Sequence, residues 1–152
     1  DASAWYTPLK GVNLSESAEG TLIIDAPDVC KDPQQTNDLV EFNVQRQFRI
    51  LGRKDNVINT GGIKVRTEEV EAALKPLLPY PFLITSAPDE KFGERIVLLL
   101  EQPENKKVSL SADTFSSLPL YWRPKQVVSV SSLPLTETGK PDRARAKRMV
   151  VD

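Results

Sequence analysis

Histidine is absent from the 152 residues, and cysteine occurs once, at Cys30. Without a second thiol there is no intramolecular disulfide framework, and without imidazole the usual zinc ligand sets cannot be assembled. The lack of disulfides is compatible with a reducing cytoplasm, which is the expected location. Long apolar runs are missing as well: the stretch 96–100 is far too short to span a bilayer. No signal peptide is visible. Neither sign of charge dominates, since 20 basic residues face 21 acidic ones for a net charge of −1. Nothing therefore points to a nucleic-acid surface or an acidic partner. The chain opens on Asp1 rather than Met, so a processed or truncated protein is expected.

What is present is enough to fold. A chain that is 39% hydrophobic can bury a core, which excludes wholesale disorder. The length fits one domain, or a small domain with an attached fragment. Three stretches differ in character. Residues 5–50 read as short β segments between turn residues, with apolar runs at 21–24, 39–42 and 47–51 and Asn43 near a turn. This resembles the end of a small barrel or sandwich whose earlier strands are missing. Such strands leave unpaired edges, so this part is expected to self-associate.

Residues 52–65 carry two β segments joined at Gly61-Gly62, for which a hairpin is the economical reading. Thr67 then reads as a helix N-cap, with Glu68, Glu69 and Glu71 in the first turn, where the dipole favours acids. Val70, Ala73, Leu74 and Leu77 share one face at helical spacing, and Pro79 ends the run. Further on, 82–87, 96–100 and 127–130 read as strands, with a connection at 88–93. A short helix is expected around 112–118, and a basic helix at 142–150. Strands interleaved with helices predict an α+β layer structure.

Two segments go beyond generic fold signals. One is Phe48-Arg-Ile-Leu-Gly-Arg-Lys-Asp-Asn-Val-Ile-Asn-Thr-Gly-Gly-Ile-Lys-Val-Arg-Thr-Glu-Glu-Val-Glu71, and the other is Leu133-Pro-Leu-Thr-Glu-Thr-Gly-Lys-Pro-Asp-Arg143. Upstream lies Thr36-Asn-Asp-Leu39. In this order the three resemble the last motifs of the adenylate-forming superfamily, which includes acyl-CoA synthetases, peptide-synthetase adenylation domains and firefly-type luciferases. The resemblance covers about residues 11–147. Asn37 stands where that family usually has Gly, and Asn tolerates the left-handed backbone region of a turn.

The resemblance implies roles residue by residue, each beside a plainer reading. Asp38 would accept hydrogen bonds from the ribose hydroxyls of ATP, or else cap a turn. Arg53 would contact the ribose or phosphates, or else form a surface ion pair. Asp55 matches a hinge position, and otherwise belongs to a polar turn. Gly61 and Gly62 would let the backbone lie along the pantetheine arm of CoA, which is compatible with a hairpin turn. Lys140 would reach the α-phosphate and the substrate carboxylate; its plain reading is an exposed loop lysine. A Walker phosphate loop is excluded there, because Pro134 stands where its first Gly belongs and Pro141 replaces Ser/Thr.

The acids after Thr67 read as helix-start residues and not as a metal site. Arg143, Arg145, Lys147 and Arg148 read most simply as a solvated helix face. Trp5, Tyr121 and Trp122 read as packing residues. By resemblance, residues 1–51 are the β-rich end of a large amino-terminal domain and 52–152 a mobile carboxy-terminal domain. The whole enzyme would join a carboxylic acid to CoA, with ATP, Mg2+ and CoA as substrates, and this chain alone would be inactive. The short loops resemble the short bacterial ligases, such as those for o-succinylbenzoate in menaquinone synthesis. Loading of a carrier protein, or a non-catalytic nucleotide- or CoA-binding module, are the alternatives.

Overall fold

The computed structural model describes residues 4–102 and 109–151. The chain divides into two compact units, 1–55 and 56–152, four residues beyond the boundary expected after Leu51.

Unit 1 is a four-stranded antiparallel meander: β1 (Asn13–Glu16), β2 (Thr21–Asp25), β3 (Gln34–Phe42) and β4 (Phe48–Arg53). Its turns are built by side chains. The Ser17 hydroxyl accepts the N–H groups of Glu19 and Thr21, which closes the β1–β2 turn. The Asn43 side-chain Oδ1 does the same for the N–H groups of Gln45 and Gln47 between β3 and β4. That turn holds Arg46 at φ 59°, a left-handed conformation rare outside Gly and Asn. Leu14, Leu22 and Val40 are buried, and Val12, Ile24, Phe42, Phe48 and Ile50 pack against them. This core is thin.

Unit 2 holds β5 (Val57–Thr60), β6 (Ile63–Arg66), α1 (Thr67–Leu74), β7 (Phe82–Asp89), β8 (Gly93–Glu101), β9 (Gln126–Val130) and α2 (Arg143–Met149). Strand β8 is the centre of the sheet. It pairs along its whole length with β7, while its other flank meets β5 at Gly93 and β9, in parallel, from Val97 onward. The run Ile96–Leu100 is buried throughout because both faces of the strand are covered. Alternate side chains divide between two cores. Ile96 and Leu98 join Ile84, Val70 and Leu74 under α1. Val97 and Leu99 join Leu83, Ala146 and Val150 under α2. The two helices therefore lie on opposite faces of the sheet.

Several local expectations are corrected. Thr67 is the first helical residue and not the N-cap, which is Arg66; the Thr67 hydroxyl donates instead to the Asn56 carbonyl. The helix ends at Leu74, just before Pro76, whose ring cannot extend it. As a result Leu77 is left partly exposed, at 39%, and Leu78 fills the core position. The segment expected as a helix around 112–118 is a single 3-10 turn, Ala112–Phe115. No helix among the described residues is long and apolar enough to cross a membrane.

Candidate functional site

In unit 1, Asp38 and Arg53 are directly opposite each other on β3 and β4. An Arg53 Nη1–H donates to Asp38 Oδ1 at 3.4 Å, and its Nη2 lies 3.8 Å from Asp55 Oδ2. The Arg53 side chain is half exposed, at 52%. Exposed pairs of this kind contribute only about 0–1 kcal/mol. Asp38 caps no turn. It lies inside β3, with its N–H donated to the Thr36 hydroxyl at 3.1 Å. Asn37 likewise lies in the strand, and no left-handed turn forms there. Asp55 sits in a 3-10 turn, Lys54–Asn56, at the break between the two units.

In unit 2, β5 and β6 form the hairpin, with Gly61 at φ 61° and Gly62 at φ 82°. Two successive left-handed residues are what a tight two-residue hairpin turn demands. The Gly61 N–H donates to the Phe92 carbonyl at 2.8 Å, pinning the tip to the β7–β8 turn. A Cβ on Gly61 would meet the Phe92 ring at 3.1 Å, whereas one on Gly62 would meet nothing within 4 Å. Only Gly62 faces open space.

Lys140 stands on a tight loop. The Thr136 N–H donates to the Lys140 carbonyl at 2.7 Å, and the Gly139 N–H donates to the Thr136 carbonyl at 2.9 Å. Gly139 adopts φ 77°, which lets the chain turn back so that Leu135 and Pro141 form an antiparallel bridge. The Lys140 N–H donates to the Thr136 hydroxyl at 3.2 Å. The loop backbone is thus fixed while the Lys140 side chain is exposed, and among the described residues its ammonium has no ion pair.

The basic helix needs correction. Arg143 is not on a solvated face: it donates two N–H groups to the two carboxylate oxygens of Glu71, at 2.9 and 3.0 Å. Burial of Arg143 works against its charge, but the hydrogen bonds and charge of Glu71, with the charge of Glu68, outweigh this and raise its pKa above the ordinary arginine value. Glu71, read as a helix-start acid, is that partner. Lys147 is also engaged, with Glu94 at 3.0 Å. The Asn56 amide donates to Glu68 at 2.6 Å. The partners lie up to 72 residues apart in sequence, so no local pattern could have revealed the Glu71–Arg143 pair.

No family model matches the chain. Individual proteins do. It is 37% identical over 115 residues to 3-oxocholest-4-en-26-oate–CoA ligase of Rhodococcus rhodochrous, covering 72% of this chain and 20% of that protein. It is 28% identical over 134 residues to a nonribosomal peptide synthetase, ungA', of Aspergillus campestris, covering 76% of this chain and 1% of that one. Among solved structures, an acyl-CoA synthetase (AMP-forming)/AMP-acid ligase II-like protein from Dyadobacter fermentans is 30% identical with a TM-score of 0.57, covering 97% of this chain and 43% of that chain. MenE of E. coli, solved with an OSB-AMS analogue, is 21% identical with a TM-score of 0.70, covering 95% of this chain and 35% of that one, a likeness of fold. The chain belongs to the adenylate-forming superfamily of AMP-dependent acyl-CoA ligases, with the α+β architecture of that group. It spans about a fifth of the length of the CoA ligase it matches.

Proposed function

We propose that the chain is the carboxy-terminal part of an AMP-forming acid–CoA ligase. The observation that carries this reading is the 37% identity to a CoA ligase across 72% of the chain. The exposed Lys140 on a rigid loop supports it. In the first step a carboxylate oxygen attacks the α-phosphorus of ATP, and pyrophosphate leaves. The Lys140 ammonium lowers the barrier by countering charge that builds on the α-phosphate. Asp38 accepts the ribose hydroxyls, and Arg53 donates to ribose or phosphate oxygens. In the second step the CoA thiol attacks the acyl carbonyl and AMP departs. Gly62 leaves the backbone bare beside the pantetheine arm, Gly61 holds the turn against Phe92, and Asp55 serves as the hinge between the two working positions. Mg2+ enters as the companion of ATP; among the described residues no three acidic or cysteine side chains are placed to hold a metal ion, so no step is assigned to one.

The acid-recognising residues are expected elsewhere in the full-length protein. Loading of a carrier protein's pantetheine is the second reading, favoured by the match to a nonribosomal peptide synthetase. The test uses the full-length protein: ATP–pyrophosphate exchange across a panel of acids, o-succinylbenzoate among them because of the fold shared with MenE. CoA or a pantetheinylated carrier is then offered to the adenylate formed. Thioester with free CoA supports the first reading, and thioester only with the carrier supports the second. No exchange with any acid would reject both.

A further inference from the structure

Helices α1 and α2 cover opposite faces of the sheet, yet Glu71 on α1 and Arg143 on α2 meet around its β7 edge. At that edge the Ile84 N–H donates to Glu71 Oε1 at 3.0 Å, and Arg143 Nη1–H also reaches the Ile84 carbonyl at 3.4 Å. The pair therefore closes the sheet edge, ties the two helices together, and satisfies the outward backbone groups of Ile84. Both side chains are about three-quarters buried, at 22% and 24% exposure. A two-point fork between a guanidinium and a carboxylate fixes orientation as well as distance, which an ammonium cannot do.

We infer that Glu71 and Arg143 are positioning residues for Lys140 in the adenylation step, an inference that rests on the function proposed above for Lys140. Arg143 is the first residue of α2 and lies three residues after Lys140. The Asp142 N–H donates to the Pro134 carbonyl at 2.9 Å, which closes the base of the lysine loop immediately before Arg143. Asp142 Oδ1 also accepts the Arg145 N–H at 2.9 Å, capping the helix. On the entry side, the Leu133 N–H donates to Glu101 Oε2 at 2.9 Å. The loop is internally rigid, so its aim is set by these anchors, and on the exit side the Glu71 clasp is the anchor that fixes direction. Glu71 in turn lies on the helix that follows the glycine hairpin directly. One clasp thus joins the element carrying Lys140 to the element carrying Gly61 and Gly62.

Arg143→Lys keeps the charge and loses the fork. In the full-length ligase it should slow pyrophosphate exchange by roughly 10²-fold, the scale of loss from a misplacement of about 1 Å. Thioester formation from preformed adenylate should stay near the parent rate. Hydrogen exchange on the present chain supplies a readout independent of activity: the amides of Ile84, which donates to Glu71, and of Asp142, at the base of the loop, should exchange faster in the variant while those of β8 stay protected. Unchanged exchange at Ile84 and Asp142 would overturn the clasp whatever Lys140 does. Equal loss in both half-reactions would reduce the pair to a structural strut and overturn the positioning role. Lys140→Ala is the control: if exchange of pyrophosphate survives it, the functional reading of Lys140 falls and the catalytic purpose of the clasp with it.

Discussion

Glu94 on β8 and Lys147 on α2 form an ion pair at 3.0 Å, and the same carboxylate accepts the Asn59 N–H at 2.9 Å and the Ser86 hydroxyl at 2.8 Å. One side chain thereby links β5, β7, β8 and α2. Burial alone would raise its pKa; the Asn59 N–H, the Lys147 ammonium and the Ser86 hydroxyl outweigh that and hold it below the ordinary 4.5. A carboxyl with a depressed folded pKa contributes stability that is present above its unfolded value and lost as pH falls through the folded one. The stability of unit 2, read from urea unfolding by circular dichroism, should therefore fall on acidification below about pH 4.5. Glu94→Ala should cost about 1.5–3 kcal/mol at neutral pH and flatten that acid limb. An acid limb unchanged by the substitution would remove Glu94 as its source.

The two glycines of the β5–β6 turn should respond differently. An L-residue in the left-handed region costs about 1–2 kcal/mol at either position. Gly61→Ala also drives a Cβ to 3.1 Å from the Phe92 ring, while Gly62→Ala meets nothing within 4 Å. Gly61→Ala should thus be the more destabilising in urea titrations, and Phe92→Ala should remove the difference. In the full-length ligase Gly62→Leu is expected to slow thioester formation more than adenylation. Equal loss in both half-reactions would mean a disturbed hairpin instead of an obstructed thiol.

Self-association of the chain is expected to run through unit 1. β1 is an edge strand, and among the described residues the core beneath the sheet holds three buried aliphatic side chains. Unpaired N–H and C=O groups on such an edge template pairing with another copy. Sedimentation should show a mass that rises with concentration, and Ser15→Lys, an exposed position on β1, should lower it. A mass independent of concentration would count against the edge.

The strands were legible because their signals are local. Buried runs such as 96–100 and the paired glycines at 61–62 announce themselves in a few residues, and β8 and the β5–β6 hairpin formed where expected. The helix end was not, because Pro76 stops α1 at Leu74 and hands the core position from Leu77 to Leu78. Thr67 misled for a similar reason: a tertiary acceptor, the Asn56 carbonyl, took the hydroxyl that a cap would have used. Most of all, charge pattern made Arg143 a surface residue, since its partner Glu71 comes from the other side of the sheet. The candidate site was readable only where its residues stand on short motifs, and the contacts that brace those motifs were not.

Lys140 carries the sharpest test. Its backbone is locked by Thr136 and Gly139, and its side chain is exposed with no ion pair among the described residues. Electrostatic groups aimed at developing charge are often worth ~3–4 kcal/mol. Removing this one by Lys140→Ala in the full-length ligase should then slow adenylation by roughly 10² to 10³, at about 1.4 kcal/mol per tenfold. The loop itself should survive, since the hydrogen bonds that shape it are made by Thr136, Gly139 and main-chain atoms of residue 140. If the two half-reactions use different positions of this part of the protein, preformed acyl-adenylate should still react with CoA at nearly the parent rate. Two assays on one variant read this out: pyrophosphate exchange for the first step, thioester formation from supplied adenylate for the second. Exchange near the parent value would make Lys140 a surface lysine. Collapse of both steps together would instead remove the two-position mechanism, and with it the hinge at Asp55.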